Sequence, residues 1–399
     1  MQPSARRDTT LPADDGIFDV DAIDPGALRE RLSAKYQYYP ADVLPAWVAE
    51  MDFPLAAPIA SALHAAIDRS DTGYRMGGAL PEALAHFAEQ RWHWTLNPRH
   101  VTLVADVLAG IAAALRVFAR PGDAVVVCTP VYNPFFSVVR DVAGLRLLDV
   151  PLLEDEGVYR LDLEGLAEAF SRDDVSAFVM SHPHNPTGTV FARDTLTAVQ
   201  ELADAHGVLV VSDEIHAPLS LPGRDHVPYL SVVAADAHAV ALVSASKAWN
   251  LAGLKCGQLV GTDRTARILT SELPLETTMT TSHLGVIASE AAFRDGGPWL
   301  DFVRVILDGN RALMADLLDR HLPRAAYTAP EASYLAWVDL RAYDLGDDPA
   351  PRILEAGRVA LSPGIQYGPG GAGFVRVNMG TSPAILEAIV SGMARAIDG

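Results

Sequence analysis

Six short apolar runs punctuate the middle of the chain and set its architecture: VTLVA (101–105), AVVVCTP (124–130), LRLLDVP (145–151), VSAFVMSHP (175–183), GVLVVSDE (207–214) and VALVSAS (240–246). Each reads as a buried strand. Helical patterns lie between several of them: IAAALRVFA (111–119), LEGLAEAF (163–170) and DTLTAVQELADAHG (194–207). The last opens on Asp194, a candidate N-cap, and closes on Gly207. Apolar strands alternating with amphipathic helices predict an α/β fold of three layers, a mostly parallel sheet covered on both faces.

The pattern changes after about residue 285. A long helical stretch (289–322) leads into two short strands, YLAWVDL (334–340) and GFVRVNMG (373–380), and a final helix, AILEAIVSGMARAID (384–398). At 399 residues the chain exceeds the usual span of one hydrophobic core, so two domains are expected. The expected division is a large domain over 47–285 and a smaller α+β domain over 286–399. Residues 1–46 would form an N-terminal arm and part of the small domain. The glycine-rich PGIQYGPGGAG (363–373) reads as a loop.

Charge and cysteine content narrow the partners. A formal net charge of −19 argues against nucleic acid and anionic membrane surfaces, which are met by basic patches. Two cysteines in apolar settings, Cys128 and Cys256, argue against a disulfide framework and for a reducing compartment. No run reaches the roughly 18 apolar residues of a membrane span. The opening MQPSARRDTTLPADD carries charge but no apolar core of a secretory signal, so a loose arm and a cytoplasmic location are expected.

In open α/β sheets, ligands lie beyond the carboxyl ends of the strands. Four of the predicted strands run there into SHPHNPTG, SDEIH, SASK and TPVYNPF. Buried polar groups need partners, and one shared polar ligand would serve all four ends. Lysine usage sharpens the point. Of 31 Lys and Arg residues only Lys35, Lys247 and Lys255 are lysines, and two of these sit in SASKAWNLAGLK (244–255). Lys247 directly follows an apolar strand, where desolvation lowers a lysine pKa and frees the neutral amine to attack aldehydes. Taken alone, such a lysine is ordinarily a rim residue in a surface ion pair; its neighbours reverse that reading. Asp213 at the end of VVSD could hold a pyridinium nitrogen protonated, and Ser244, Ser246 and Lys255 offer two hydroxyls and a cation to a phosphate.

The series SDEIH then SxSKxxNLxGLK, with HNPTG upstream, resembles the fold-type I pyridoxal-phosphate enzymes of the class I/II aminotransferase superfamily. WVAEMDFP (47–54), DTGY (71–74), SDEIH and GFVRVNMG narrow the resemblance to the cystathionine β-lyase-like C–S lyases, over nearly the whole chain from about residue 17. The resemblance implies pyridoxal 5′-phosphate as cofactor, a large cofactor-binding domain, a small amino-acid substrate, and a homodimer with shared active sites.

It also implies roles. Lys247 would hold the cofactor covalently and act as acid and base at the substrate Cα. Asp213 would pair with the pyridine nitrogen, and Asn185 with the ring hydroxyl. His216 would touch that same ring oxygen or simply pack. Tyr132 would stack on the ring face. Ser244, Ser246, Lys255 and the backbone N–H groups of Val107 and Leu108 would meet the phosphate at a helix N-terminus. Tyr74 would reach that phosphate from the second subunit. Arg376 would clamp the substrate α-carboxylate, for which a planar fork is suited, and the backbone near Ala49 would be a second contact to it. The family usually carries glycine where this chain has Asp106 in VADVLAGI; a carboxylate beside a phosphate is repulsive unless it turns away to cap the helix.

The implied reaction is β-elimination on cystathionine or another cysteine S-conjugate, giving thiol, pyruvate and ammonia. An aminotransferase, or a decarboxylating or oxidative deaminase acting on a cysteine S-conjugate, would draw on the same residues. A protein that merely retains the cofactor for binding or regulation would not need both a base and a carboxylate clamp. His182 and His184 flank a proline with no acidic or cysteine ligand nearby, so no metal site is expected.

Overall fold

The computed structural model describes residues 17–398; the first sixteen, where the loose arm is expected, lie outside the described residues. Seven strands form the central sheet: β1 (Val101–Val104), β2 (Ala124–Val127), β3 (Arg146–Asp149), β4 (Val175–Ser181), β5 (Leu209–Asp213), β6 (Ala239–Val243) and β7 (Gly257–Gly261). Their order across the sheet is β1-β7-β6-β5-β4-β2-β3. Neighbours from β6 to β3 are parallel, while β7 runs antiparallel between β1 and β6. The six apolar runs are all strands, trimmed by a few residues at their ends. The seventh, GQLVG, escaped the sequence pattern because two of its five residues are glycines with no strand preference.

This topology gathers polar residues at one edge. Asp213 ends β5, Ser244 follows β6, and β1 runs the same way and ends just before Asp106. Because β7 is reversed, it starts at that edge, directly after Lys255 and Cys256. Helix Val107–Phe118 lies close against the sheet: a Cβ on Gly110 would come within 2.4 Å of Leu242 Cδ1, so a larger residue there would have to push that buried side chain aside.

Helix Arg193–His206 ends as expected, on Gly207 in the left-handed region (φ +70°). Its start differs. The N-cap is Ala192, which makes no side-chain cap, and Asp194 instead lies in the first turn, where its charge suits the helix dipole.

A second unit is built on β8 (Ala326–Tyr327), β9 (Leu335–Asp339), β10 (Ser362–Pro363) and β11 (Phe374–Asn378), an antiparallel sheet ordered β8-β9-β11-β10. Its core also takes residues from helices Gly297–His321, Ala350–Gly357 and Pro383–Asp398. The long helical stretch divides at Gly296 into His283–Asp295 and Gly297–His321, and the first packs on Ala57–Asp68 and Leu80–Trp92 beside the large sheet. Leu44–Pro45 pairs in parallel with Val359–Ala360, tying the N-terminal segment to the second unit. Among the described residues no helix is long and apolar enough to cross a membrane.

Candidate active site

A cavity of about 160 Å³ opens at the carboxyl edge of the large sheet. Lys247, Asp213, Asn185, His216, Tyr132, Ser246, Lys255, Val107, Leu108 and Ala49 line it. Each arrives by the shortest route: Lys247 and Ser246 from the short helix Ala245–Ala248 after β6, Asn185 from the loop after β4, Tyr132 from the loop after β2.

One end of the cavity holds buried charge. Lys247 Nζ donates to the Ala49 carbonyl at 3.0 Å. The half-buried side chain lines the cavity, and desolvation there, with the Arg376 guanidinium nearby, lowers its pKa to about 8 against the opposing pull of Asp213. Burial pushes the Asp213 carboxyl up to about 7, although the Ile215 N–H donates to its Oδ1 at 3.1 Å and Lys247 favours its ionised form. His216 is kept neutral, with its pKa down to about 3, by burial and by the charges of Lys247 and Arg376. Its Nδ1 is buried without a partner.

Arg376, at the centre of β11 and buried, stands just behind this wall. Its Nη1 donates to Asn185 Oδ1 (3.1 Å), its Nη2 to the Trp47 carbonyl (3.0 Å) and, at 3.4 Å, to Ser362 Oγ. The guanidinium also lies over the Tyr367 ring, 5.2 Å from its centroid. All these partners are neutral, and Nε has none. A buried guanidinium so placed still lacks the anion that would offset its desolvation. Because Asn185 Oδ1 accepts from Arg376, its amide NH₂ is what remains for a ligand.

The other end is suited to an anion. Helix Val107–Phe118 opens on it, and the helix start leaves N–H groups without intrahelical acceptors. Asp106 is the N-cap: its Oδ1 accepts from the Ala109 N–H and its Oδ2 from Lys255 Nζ, both at 2.8 Å. Burial works to raise the Asp106 pKa, but the Lys255 ammonium and the Ala109 N–H outweigh it and hold the carboxyl below its ordinary range. The carboxylate therefore does cap the helix, yet it stays in the cavity wall.

Ser244 and Tyr74 do not join the cavity. Ser244 caps the short helix, accepting from the Ser246 N–H (3.1 Å), and its buried hydroxyl donates to the Cys256 carbonyl at 2.7 Å. Ser246 lines the cavity, and Ser244 Oγ lies 3.0 Å from Ser246 Oγ, directly beneath that lining. Tyr74 is 92% exposed and lies outside the cavity.

Other residues take part that the sequence did not mark. Tyr334 is buried, and its hydroxyl donates to the Ala49 carbonyl that Lys247 also uses (3.0 Å). The segment around Ala49 has no regular structure and is held from both units: Asn250 Nδ2 donates to Met51 O (2.9 Å), and Asn378 Nδ2 to Val48 O (2.8 Å) and Glu50 O (2.6 Å). Asparagines that bond loop backbone carry no motif; only the N of NLAGLK and of VRVNMG, embedded in otherwise apolar runs, could have signalled them.

A sheet of this order, with a lysine beyond one strand end and an acid at the next, defines an α/β protein whose ligand lies at the carboxyl edge. The chain belongs to the class I and II aminotransferase family, whose model matches residues 48–392. A Mycobacterium tuberculosis protein provisionally named cystathionine beta-lyase is 45% identical over 395 residues, covering 92% of this chain and 95% of the relative. The cystathionine beta-lyase PatB of Bacillus subtilis is 38% identical over 350 residues, covering 87% and 90%. Among solved structures, the PLP-bound C–S lyase of Staphylococcus hominis superposes with a TM-score of 0.88 at 25% identity, covering 96% of this chain and 98% of that one.

Proposed function

We propose that this chain is a pyridoxal 5′-phosphate-dependent carbon–sulfur β-lyase acting on cystathionine or another cysteine S-conjugate. One observation carries the reading: a half-buried lysine of lowered pKa and a buried carboxyl line one cavity, and a guanidinium with only neutral partners stands directly behind its wall, bonded to the lining residue Asn185. The names of the relatives favour the lyase among the reactions such a site supports.

The residues present fit the cofactor. Lys247 supplies an amine able to hold its aldehyde, Asp213 a carboxyl for the ring nitrogen, Asn185 an amide donor, and Tyr132 an aromatic face. Ser246, Lys255 and the helix N-terminus at Val107 and Leu108 suit the phosphate. When bound, the cofactor supplies an electron sink for negative charge developing at the substrate Cα. Arg376, already fixed by Asn185 and Trp47, takes the α-carboxylate and sets the orientation of the Cα–H bond. Lys247 Nζ then removes the Cα proton. Expulsion of the β-sulfur group follows, and water releases the three-carbon remainder as pyruvate and ammonia. His216, neutral and enclosed, keeps a second positive charge away from Lys247.

Three further expectations belong to the proposal. Tyr74, Met76, Leu275 and Met279 form exposed apolar surface that suits a homodimer, through which Tyr74 would enter the partner's site. Two buried free cysteines suit a reducing cytoplasm. The division into a large domain over 47–285 and a smaller one over 286–399 is part of the proposal, with the first half of helix Gly297–His321 packed in the large unit's core.

The experiment is to add cystathionine to the cofactor-loaded protein with and without a keto acid. Pyruvate and free thiol without keto acid are expected. Product formed only with keto acid would make the chain an aminotransferase, the activity its family description names.

A further inference from the structure

Asp106 presents a charge problem that its capping role does not explain. The cap uses Oδ1 alone, and an uncharged asparagine or serine caps as well as aspartate. The second oxygen is what differs: Oδ2 holds Lys255 Nζ at 2.8 Å inside the cavity wall. Among the described residues Lys255 is the one cationic side chain lining this end, and its charge is answered by Asp106 before any ligand enters. Stability gives no reason for the pair. With side chains 57% and 37% exposed, a Lys255–Asp106 bridge contributes little to folding.

We propose that Asp106 competes with the cofactor phosphate for Lys255 and for the adjoining helix N-terminus, and so keeps the cofactor loosely held and exchangeable. The inference rests on the cofactor reading above. A phosphate dianion placed against Val107, Leu108, Ser246 and Lys255 would meet a carboxylate that already holds one of those donors, Lys255, and the neighbouring Ala109 N–H. The positive end of the helix dipole is shared in the same way. The energy of phosphate binding at this end is then a difference between two competitors for one cation, and removing the internal one strengthens the other.

Asp106→Asn and Asp106→Ser test this, because both keep the cap and remove the charge. Dissociation constants for pyridoxal 5′-phosphate are measured by spectroscopic titration of the cofactor-free protein, with pyridoxal, which lacks the phosphate, as the paired probe. The expected result is affinity for pyridoxal phosphate roughly five- to tenfold higher in both variants, with pyridoxal affinity unchanged. Unchanged or weakened binding of pyridoxal phosphate in both variants overturns the inference, since Asp106 would then be a plain cap or a device that aims Lys255. An equal gain for both probes also overturns it, because the effect would not pass through the phosphate. A wild-type chain that takes up neither probe overturns the cofactor reading and the inference with it. Uptake of pyridoxal phosphate by the wild type without a gain in the variants overturns the inference alone.

Discussion

The two ends of the cavity handle charge in opposite ways. Around Lys247, Asp213 and Arg376 the charged groups are half-buried or buried and answered by neutral partners, and burial is the leading influence on the titration of Lys247 and Asp213. Around Asp106 and Lys255 the charges are half exposed and paired with each other, and the pairing outweighs burial. The first arrangement leaves unmet electrostatic demand, which suits a site that moves protons and captures a carboxylate. The second meets its own demand, which suits reversible binding. The same fold edge therefore serves chemistry at one end and tenure at the other.

The sharpest way to break that contrast is to remove the base. Lys247→Ala should lower pyruvate release from cystathionine by roughly 10³-fold or more, the scale of a lost proton-transfer group. The Asp106 and Lys255 end should still bind the cofactor without a covalent link. Turnover within tenfold of wild type would mean that proton transfer resides elsewhere.

Arg376→Lys comes next. The substituted ammonium cannot reproduce a fork already fixed by Asn185 and Trp47. A lost charge-assisted, two-point contact is worth about 2–3 kcal/mol, so kcat/KM should fall roughly 100-fold, mostly through KM. A fall confined to kcat would assign Arg376 to the chemistry instead of to substrate capture.

A smaller effect is expected from pH. With a pKa of about 8, close to a tenth of Lys247 is neutral at pH 7, against roughly one part in 2,500 for an ordinary lysine. The sign follows from the amine: only the neutral form attacks an aldehyde. Covalent capture of cofactor by the cofactor-free protein should therefore speed up about tenfold per pH unit below 8 and level off above it. A rate still climbing steeply through pH 9–10 would show that burial does not set this amine apart. The test is a stopped-flow series over pH 6–10.

How far the sequence disclosed all this follows the same division. Polar residues that end apolar strands were legible, since Asp213, Ser246 and Lys247 need only the strand's direction to reach the edge. Asn185 and Tyr132 lie in loops after strands and follow from the same rule. What could not be read is contact made by backbone or supplied by the second unit. The Ala49 and Trp47 carbonyls have no side-chain code, and Tyr334 sits in YLAWVDL among residues of similar apolar character. The antiparallel insertion of β7, which brings Lys255 to Asp106, likewise depends on a five-residue glycine-bounded strand with almost no signal.

Ser244 is the finest test of the contrast, because the sequence expects it at the phosphate while it also caps the short helix. Ser244 and Ser246 are two residues apart with hydroxyls 3.0 Å from each other; Ser246 lines the cavity, while the Ser244 oxygen accepts the Ser246 N–H. Its proton then goes to the Cys256 carbonyl, at the point where β7 enters the sheet. Ser244→Ala should therefore cost about 1–2 kcal/mol of stability, from a lost cap and an unanswered buried carbonyl, measured by denaturant titration. It should leave affinity for pyridoxal phosphate within about twofold, since an effect passing only through the cap is indirect. Ser246→Ala should do the reverse, lowering affinity by roughly fivefold, the worth of one neutral hydrogen bond, with little loss of stability. If the two substitutions exchanged these signatures, the hydroxyl facing the anion would be Ser244, and the cavity's phosphate end would have to be rebuilt around it.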